Sequence, residues 1–147
     1  MKDCIFCKII ENKSKSWKVY EDDLVVAFFD VYPSVEGHTL VVPKKHFENI
    51  YDITEDYLQR VITVCKKLAL HYKKSLGIKA INLIHGSGKE AQQDVFHFHM
   101  HIIPRKDSKR DNFKMSYKPV HKKISSEFDI ILKKIREHPD FKNLKQN

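Results

Sequence analysis

The sequence predicts an α+β domain, and three observations predict it. Short apolar runs bounded by turn residues recur through the first hundred residues, which is the mark of strands. The longest stretch that repeats its apolar residues at i+3/i+4 spacing runs from Leu58 to Tyr72 and reads as the main helix. The stretch Phe96–Arg105 alternates with a strict period of two, the signature of a strand. Mostly antiparallel strands with one main helix make an α+β arrangement.

In chain order, Cys4-Ile5-Phe6-Cys7 opens with a CxxC pair and runs into a short apolar turn. Trp17–Glu21 reads as a short strand, Glu21-Asp22-Asp23 as a turn, and Leu24–Asp30 as a largely buried strand. Pro33 and Gly37 bound a loop before the strand His38–Pro43, which Pro43 stops. Asp52 is expected to cap the long helix, with Glu55 three residues on, and Gly77 to end it. Cys65 lies on the apolar stripe and reads as an inert core residue. Ala80–His85 is a strand, and Gly86–Asp94 is a loop that delivers the chain to the histidine stretch. A second helix is expected over Ile124–Glu137, with Phe128, Ile131, Leu132 and Ile135 on one side. Residues 106–123 are basic and irregular, and 138–147 are expected to fray.

The 147 residues are 41% hydrophobic and 31% charged, the balance of one globular domain. No apolar run has the length of a membrane span, and the N-terminus lacks the apolar core of a signal peptide, so the expectation is cytoplasmic. Three cysteines in a reducing compartment argue against a disulfide framework. The net charge of +8 is uneven: residues 105–147 hold 13 Lys+Arg against 6 Asp+Glu. That basic tail reads as a solvated surface or as an attraction to polyphosphate or nucleic acid.

His97, His99 and His101 recur at i, i+2 and i+4 and share one face of the expected strand, with Phe96, Phe98, Met100 and Ile102 on the other. Packing alone explains three imidazoles on one face poorly. Two chemistries remain open on spacing alone: zinc ligation with a further ligand from elsewhere, or attack by a neutral imidazole on an electrophile. Gly86, Ser87, Gly88 and Gln93 in the preceding loop favour a phosphate site. The CxxC pair alone is weak evidence: it fits a zinc ligand pair, or two reduced cysteines at a chain end, better than a redox motif, since no thioredoxin-like βαβ context follows.

The sequence resembles the histidine triad (HIT) superfamily of nucleotide hydrolases and transferases, in its Hint-like and bacterial branches. The motif His-φ-His-φ-His-φ-φ stands here as His97-Phe98-His99-Met100-His101-Ile102-Ile103. Asp30 after an apolar strand, Gly37-His38-Thr39-Leu40-Val41-Val42-Pro43-Lys44-Lys45-His46, and Gln93 four residues before the triad extend the likeness over roughly residues 4–105. The resemblance implies a five-stranded antiparallel sheet with one long helix, and a homodimer whose two sheets join. It implies a HIT domain over 1–105, and 106–147 follows as a basic C-terminal extension packing on or beside it.

By the resemblance, His99 is the nucleophile at the α-phosphorus of a purine nucleotide derivative, His101 orients it, and His38 completes the cluster. Asp30 would accept hydrogen bonds from ribose hydroxyls. Ile9, Phe28 and Phe29 would line a base pocket, and Gln93 with Ser87 would hold phosphate oxygens. Some relatives with this N-terminus hold a structural zinc through two cysteines and two histidines; Cys4, Cys7, His46 and His97 match those positions. Asp94 departs from the pattern, standing where Hint proteins usually carry Ser or Thr beside the leaving group. Gly86 stands where many relatives carry an amide side chain. Leaving groups of two classes remain open, an amine or a nucleotide: Pro104-Arg105 with the basic tail leans to the second, and the shorter Hint-like body leans to the first. A different class of function also remains: a nucleotide- or nucleic-acid-binding protein with little turnover.

Overall fold

A computed structural model describes residues 3–107, 111, 113–115 and 125–139. The elements run α1 (Ile5–Ile10), β1 (Lys18–Glu21), β2 (Val25–Phe29), β3 (Thr39–Pro43), α2 (Glu55–Ser75), β4 (Ala80–Ile84), a single 3-10 turn (Lys89–Ala91), β5 (Met100–Arg105) and α3 (Ser125–Glu137). The strands form one five-stranded antiparallel sheet in the order β1-β2-β3-β5-β4. This is the α+β fold the sequence predicts.

Two apolar layers follow from alternation along the strands. Val25, Ala27, Val41 and Ile102 join Val61, Val64, Cys65, Leu68 and Tyr72 of α2 on one face. Val26, Phe28, Leu40 and Val42 join Phe6 and Ile9 of α1 on the other. Register ties the triad stretch to this scheme. His101 pairs across with Leu40, which pairs with Phe28, so His101 lies on the α1 face; Met100 and Ile102 lie on the α2 face. Thr39, fully buried on the α2 face, bonds the Tyr72 hydroxyl at 2.8 Å and so satisfies the polar groups of that layer.

Three expectations need correction. The strand at the triad begins at Met100, not Phe96. The His97 N–H turns back to the Val95 carbonyl at 2.8 Å, and the Phe98 N–H pairs with the Phe47 carbonyl at 2.6 Å, so these residues leave the ladder. Phe98 still enters the α2-face core, whereas Phe96, upstream of the turn, is 37% exposed and does not share its face. Asp52 does not cap α2. It accepts the N–H groups of Glu48 and Asn49, closing the preceding turn, and Thr54 is the N-cap residue. Gly77, at φ +62°, does provide the left-handed exit that ends the helix.

The chain divides into compact units at Met1–Lys114 and Met115–Asn147. Within the first, Arg105 holds residues beyond β5 by donating to Asp111 at 2.8 Å and to the Phe113 carbonyl at 3.0 Å. In the second, α3 spans Ser125–Glu137, and Phe128, Ile131, Leu132 and Ile135 are exposed. Most of the expected irregular stretch 106–123, and nearly all of 138–147, lie outside the described residues. No helix among the described residues is long and apolar enough to cross a membrane.

Candidate active site and metal centre

The short stretch 97–101 feeds two separate clusters. The first joins Cys4, Cys7, His46 and His97, whose ligand atoms all lie within 4.8 Å of one another. Cys4 immediately precedes α1 and Cys7 lies within it, which brings both sulfurs to one end of that helix. The pairing of Phe98 with Phe47 brings His97 beside His46, their rings 4.6 Å apart. Cys4 Sγ lies 3.4 Å and Cys7 Sγ 3.5 Å from His97 Nδ1, and Cys7 Sγ lies 3.3 Å from His46 Nδ1. In a zinc tetrahedron with Zn–S of about 2.3 Å and Zn–N of about 2.1 Å, a sulfur–nitrogen edge is about 3.6 Å. The donor set therefore fits zinc in both chemistry and spacing.

A second contact fixes which nitrogen of His97 faces the sulfurs. Its Nε2 lies 2.9 Å from the Pro43 carbonyl. A carbonyl only accepts, so Nε2 carries the proton and Nδ1 turns a lone pair toward the cysteines. His97 is fully buried, and burial pushes its pKa down to about 4, which keeps the ring neutral. Burial, followed by the neighbouring Cys4, raises the Cys7 thiol to about 11.

The second cluster joins His99, His101, His38 and Asp30 on the α1 face. His99 is 7% exposed and packs edge-on against Phe6 at 5.2 Å. Its Nδ1 lies 2.7 Å from the carbonyl of His97, so the proton is on Nδ1 and the lone pair on Nε2. Burial lowers the His99 pKa from its ordinary value, so at neutral pH that lone pair is available. His97 and His99, two residues apart, thus hold opposite tautomers.

His101 and His38 form a directed chain. Ser34 N–H donates to His38 Nδ1 at 3.2 Å, leaving the proton on Nε2, and Nε2 donates to His101 Nδ1 at 2.9 Å. His101 must then carry its proton on Nε2. Burial, followed by the charges of His99 and His38, pushes His101 down to about 4. Asp30 Oδ2 stands 3.6 Å from His38 Nε2 while Oδ1 accepts the Tyr32 N–H. One carboxylate oxygen thus remains for a hydroxyl donor.

His85, which the sequence reading noted only as the end of the strand Ala80–His85, braces this cluster. Its Nδ1–H donates to the His99 carbonyl at 2.8 Å, and its Nε2 accepts from the Ser87 hydroxyl at 2.6 Å. Ser87 in turn accepts the Ile50 N–H at 3.1 Å. Gly86 is required here because a Cβ would collide with the Ala91 carbonyl. Gln93 is 5% exposed and commits its amide to the loop, accepting from Gly88 N–H and donating to the carbonyls of Glu48 and Val95. Ser87 and Gln93, expected at phosphate oxygens, are therefore found shaping the loop. Ile9 and Phe28 join Phe6 in the α1-face cluster. Phe29, the next residue along β2, falls on the opposite face by alternation and is 38% exposed, so it does not share a pocket with them. Arg105 gives its guanidinium to Asp111, Asn82 and the Phe113 carbonyl, so the expected lean toward a polyphosphate through this residue finds no free cation.

A model of the HIT domain matches residues 11–108. The chain belongs to the HIT family. A HIT-like protein of Borreliella burgdorferi is 48% identical over 115 residues, covering 77% of this chain and 81% of the relative. The Saccharomyces cerevisiae adenosine 5′-monophosphoramidase HNT1 is 39% identical over 106 residues, covering 72% of this chain and 65% of its own. The crystal structure of a HIT family member from Bacillus subtilis superposes with a TM-score of 0.85 at 38% identity, covering 92% of this chain and 96% of that one. A zinc-bound histidine triad protein of Mycobacterium smegmatis gives 0.73 at 29% identity, covering 80% and 85%. The HIT match begins after the CxxC pair, so Cys4 and Cys7 lie outside the matched segment while His46 and His97 lie inside it.

Proposed function

We propose that this HIT domain hydrolyses a purine nucleotide derivative at its α-phosphate through a covalent nucleotidyl-histidine. The observation that carries the reading is the tautomer of His99: the His97 carbonyl holds the proton on Nδ1 and leaves a neutral Nε2 free to attack. Nε2 forms a bond to phosphorus while the bond to the leaving group breaks, the electron pair departing on the leaving atom, which takes a proton from solvent. Water then attacks the same phosphorus and releases the nucleoside monophosphate and the free ring. His101, with its proton on Nε2, donates to a phosphate oxygen as charge builds there. Asp30 receives the ribose hydroxyls, and the base lies against the cluster of Phe6, Ile9 and Phe28.

The relative named as an adenosine 5′-monophosphoramidase supports an adenosine phosphoramidate as substrate. Zinc in the Cys4, Cys7, His46 and His97 site would be structural: four protein ligands close the tetrahedron and leave no position for substrate. When bound, the metal tethers α1 to the triad loop; the zinc-bound neighbour supports this assignment. We also expect a homodimer through a sheet edge, for which β4 is the edge nearest the triad strand. Equilibrium sedimentation reads that state.

The test is release of AMP from adenosine phosphoramidate and from diadenosine tetraphosphate by wild type and by His99→Ala. Turnover by wild type, lost about a hundredfold or more in the variant, is the expected result. Binding of AMP without turnover of either compound would reduce the protein to a nucleotide binder.

A further inference from the structure

We propose that Cys4 and Cys7 are a site of oxidative modification, and that closing them into a disulfide with peroxide weakens the nucleotide site through Phe6. The inference rests on the zinc and nucleotide assignments above and adds a coupling between them. Phe6 stands between the two cysteines in sequence, on the six-residue helix α1. Its ring packs edge-on against His97 at 5.9 Å, His99 at 5.2 Å and Phe28 at 5.5 Å. One side chain thus touches a member of the Cys/His group, the proposed nucleophile and the proposed wall of the base pocket.

α1 does not hold that ring by its own stability. It falls well short of the roughly 12–15 residues below which an isolated helix is marginal, and it buries only Phe6 and Ile9. Its other tether is the pair of sulfurs beside His97 and His46. Both cysteines are half-buried, and Cys4 lines a cavity of about 300 Å³, room enough for a peroxide molecule. Cys65, the third cysteine, is fully buried in the α2-face core and has no such access. The sulfurs of Cys4 and Cys7 lie within 4.8 Å of each other across one helical turn, the CxxC spacing that dithiol–disulfide pairs use.

The step balances. One sulfur attacks a peroxide oxygen, the O–O bond breaks, and a sulfenic acid and one water form. The second sulfur attacks the first, the S–O bond breaks, and a second water leaves. Two thiols are oxidised and one peroxide is reduced. A disulfide offers no thiolate, so the group keeps only the two histidines as donors and no longer makes a four-ligand zinc site. α1 is then held by Phe6 and Ile9 alone, and the wall they give the nucleotide loosens.

The experiment treats the zinc-loaded full chain with hydrogen peroxide and measures AMP binding by calorimetry before and after. Cys4 and Cys7 are expected to form a disulfide while Cys65 stays a thiol, read by alkylation and mass spectrometry, with zinc released to a colorimetric chelator. AMP is then expected to bind about tenfold more weakly, and dithiothreitol with added zinc to restore the affinity. Hydrogen exchange at the amides of Lys8 and Glu11, which bond the carbonyls of Cys4 and Cys7, rises on oxidation, while that of β2 and β3 does not. Coupling is reciprocal, so saturating AMP tightens zinc on the reduced chain by the same factor of about ten. Phe6→Ala still loses zinc on oxidation, but its AMP affinity, already weak, changes by less than about twofold. An unchanged AMP affinity once the disulfide has formed, a zinc affinity indifferent to AMP, or full coupling in Phe6→Ala overturns the inference and leaves both assignments above standing. A reduced chain that takes up no zinc, or binds no AMP, overturns the corresponding assignment and the inference with it.

Discussion

His97 and His99 sit two residues apart on one extended stretch, share a neighbour in Phe6, and have opposite fates. His97 gives its Nε2–H to Pro43 and turns Nδ1 to two sulfurs, inside a group of four ligands that closes on itself. His99 gives its Nδ1–H to the carbonyl of His97 and keeps Nε2 unpaired. The difference lies in which backbone carbonyl each ring meets, not in the side chain. One residue therefore serves both clusters: the imidazole of His97 belongs to the Cys4, Cys7, His46 group, and its carbonyl sets the tautomer of the proposed nucleophile. On the reading proposed above, the HxHxH motif supplies a metal ligand, a nucleophile and a proton donor in sequence.

The sharpest way to break the comparison is to remove the two rings separately. His99→Ala is expected to lose a hundredfold or more of AMP release, hold one zinc per chain, and keep its melting temperature within a few degrees. His97→Ala is expected to lose the metal and roughly 10 °C or more in melting temperature, with activity falling as a consequence. Zinc analysis and thermal scans on the same preparations read both. If His99→Ala also loses zinc, the two clusters are one site.

A smaller effect sharpens the second cluster. His38→Asn removes the Nε2–H that fixes His101, so kcat is expected to fall about tenfold to a hundredfold with zinc content unchanged. His85→Ala removes the brace on the His99 carbonyl and takes away the acceptor of the Ser87 O–H; kcat is expected to fall about tenfold, with partial rescue by His85→Gln. Steady-state kinetics check both.

The smallest effect comes from a network that belongs to neither cluster. Burial raises the Asp22 carboxyl. The N–H groups of Val25 and Leu24, with Arg60 and Tyr20, outweigh that and hold it at about 2, against an ordinary 3.8. The folded form therefore binds the proton less readily than the unfolded chain. Its stabilisation is fully present above pH 3.8 and is lost as pH falls toward 2. Asp22→Asn is expected to cost about 1–2 kcal/mol at pH 7 and almost nothing at pH 2, measured by denaturant unfolding, with kcat unchanged.

The sheet was legible in the sequence because burial on two faces leaves a plain pattern. Val25 to Phe28 and Leu40 to Val42 read as strands, and they are. Where hydrogen bonds depart from the ladder, alternation overstated the strand, because Phe98 keeps its face while its N–H turns to Phe47. The ends of α2 show both outcomes. Gly77 was legible because only a left-handed residue ends the helix that way, while Asp52 was misread because a carboxylate two residues early serves a turn equally well. Ring tautomers were not legible at all. They depend on carbonyls from Pro43 and His97 and on the loop amide of Ser34, which no spacing rule connects. Gln93 and Ser87 were assigned by chemical type to a phosphate, whereas their hydrogen bonds go to the loop itself.

The most direct test of the account is the address of the covalent intermediate. Wild type is mixed with an adenosine phosphoramidate, quenched in alkali within the first turnovers, digested, and mapped by mass spectrometry for nucleotidyl-histidine. The account expects the adduct on His99 alone. An adduct on His101 or His97 would contradict the tautomer argument, and turnover with no histidine adduct would contradict covalent catalysis altogether.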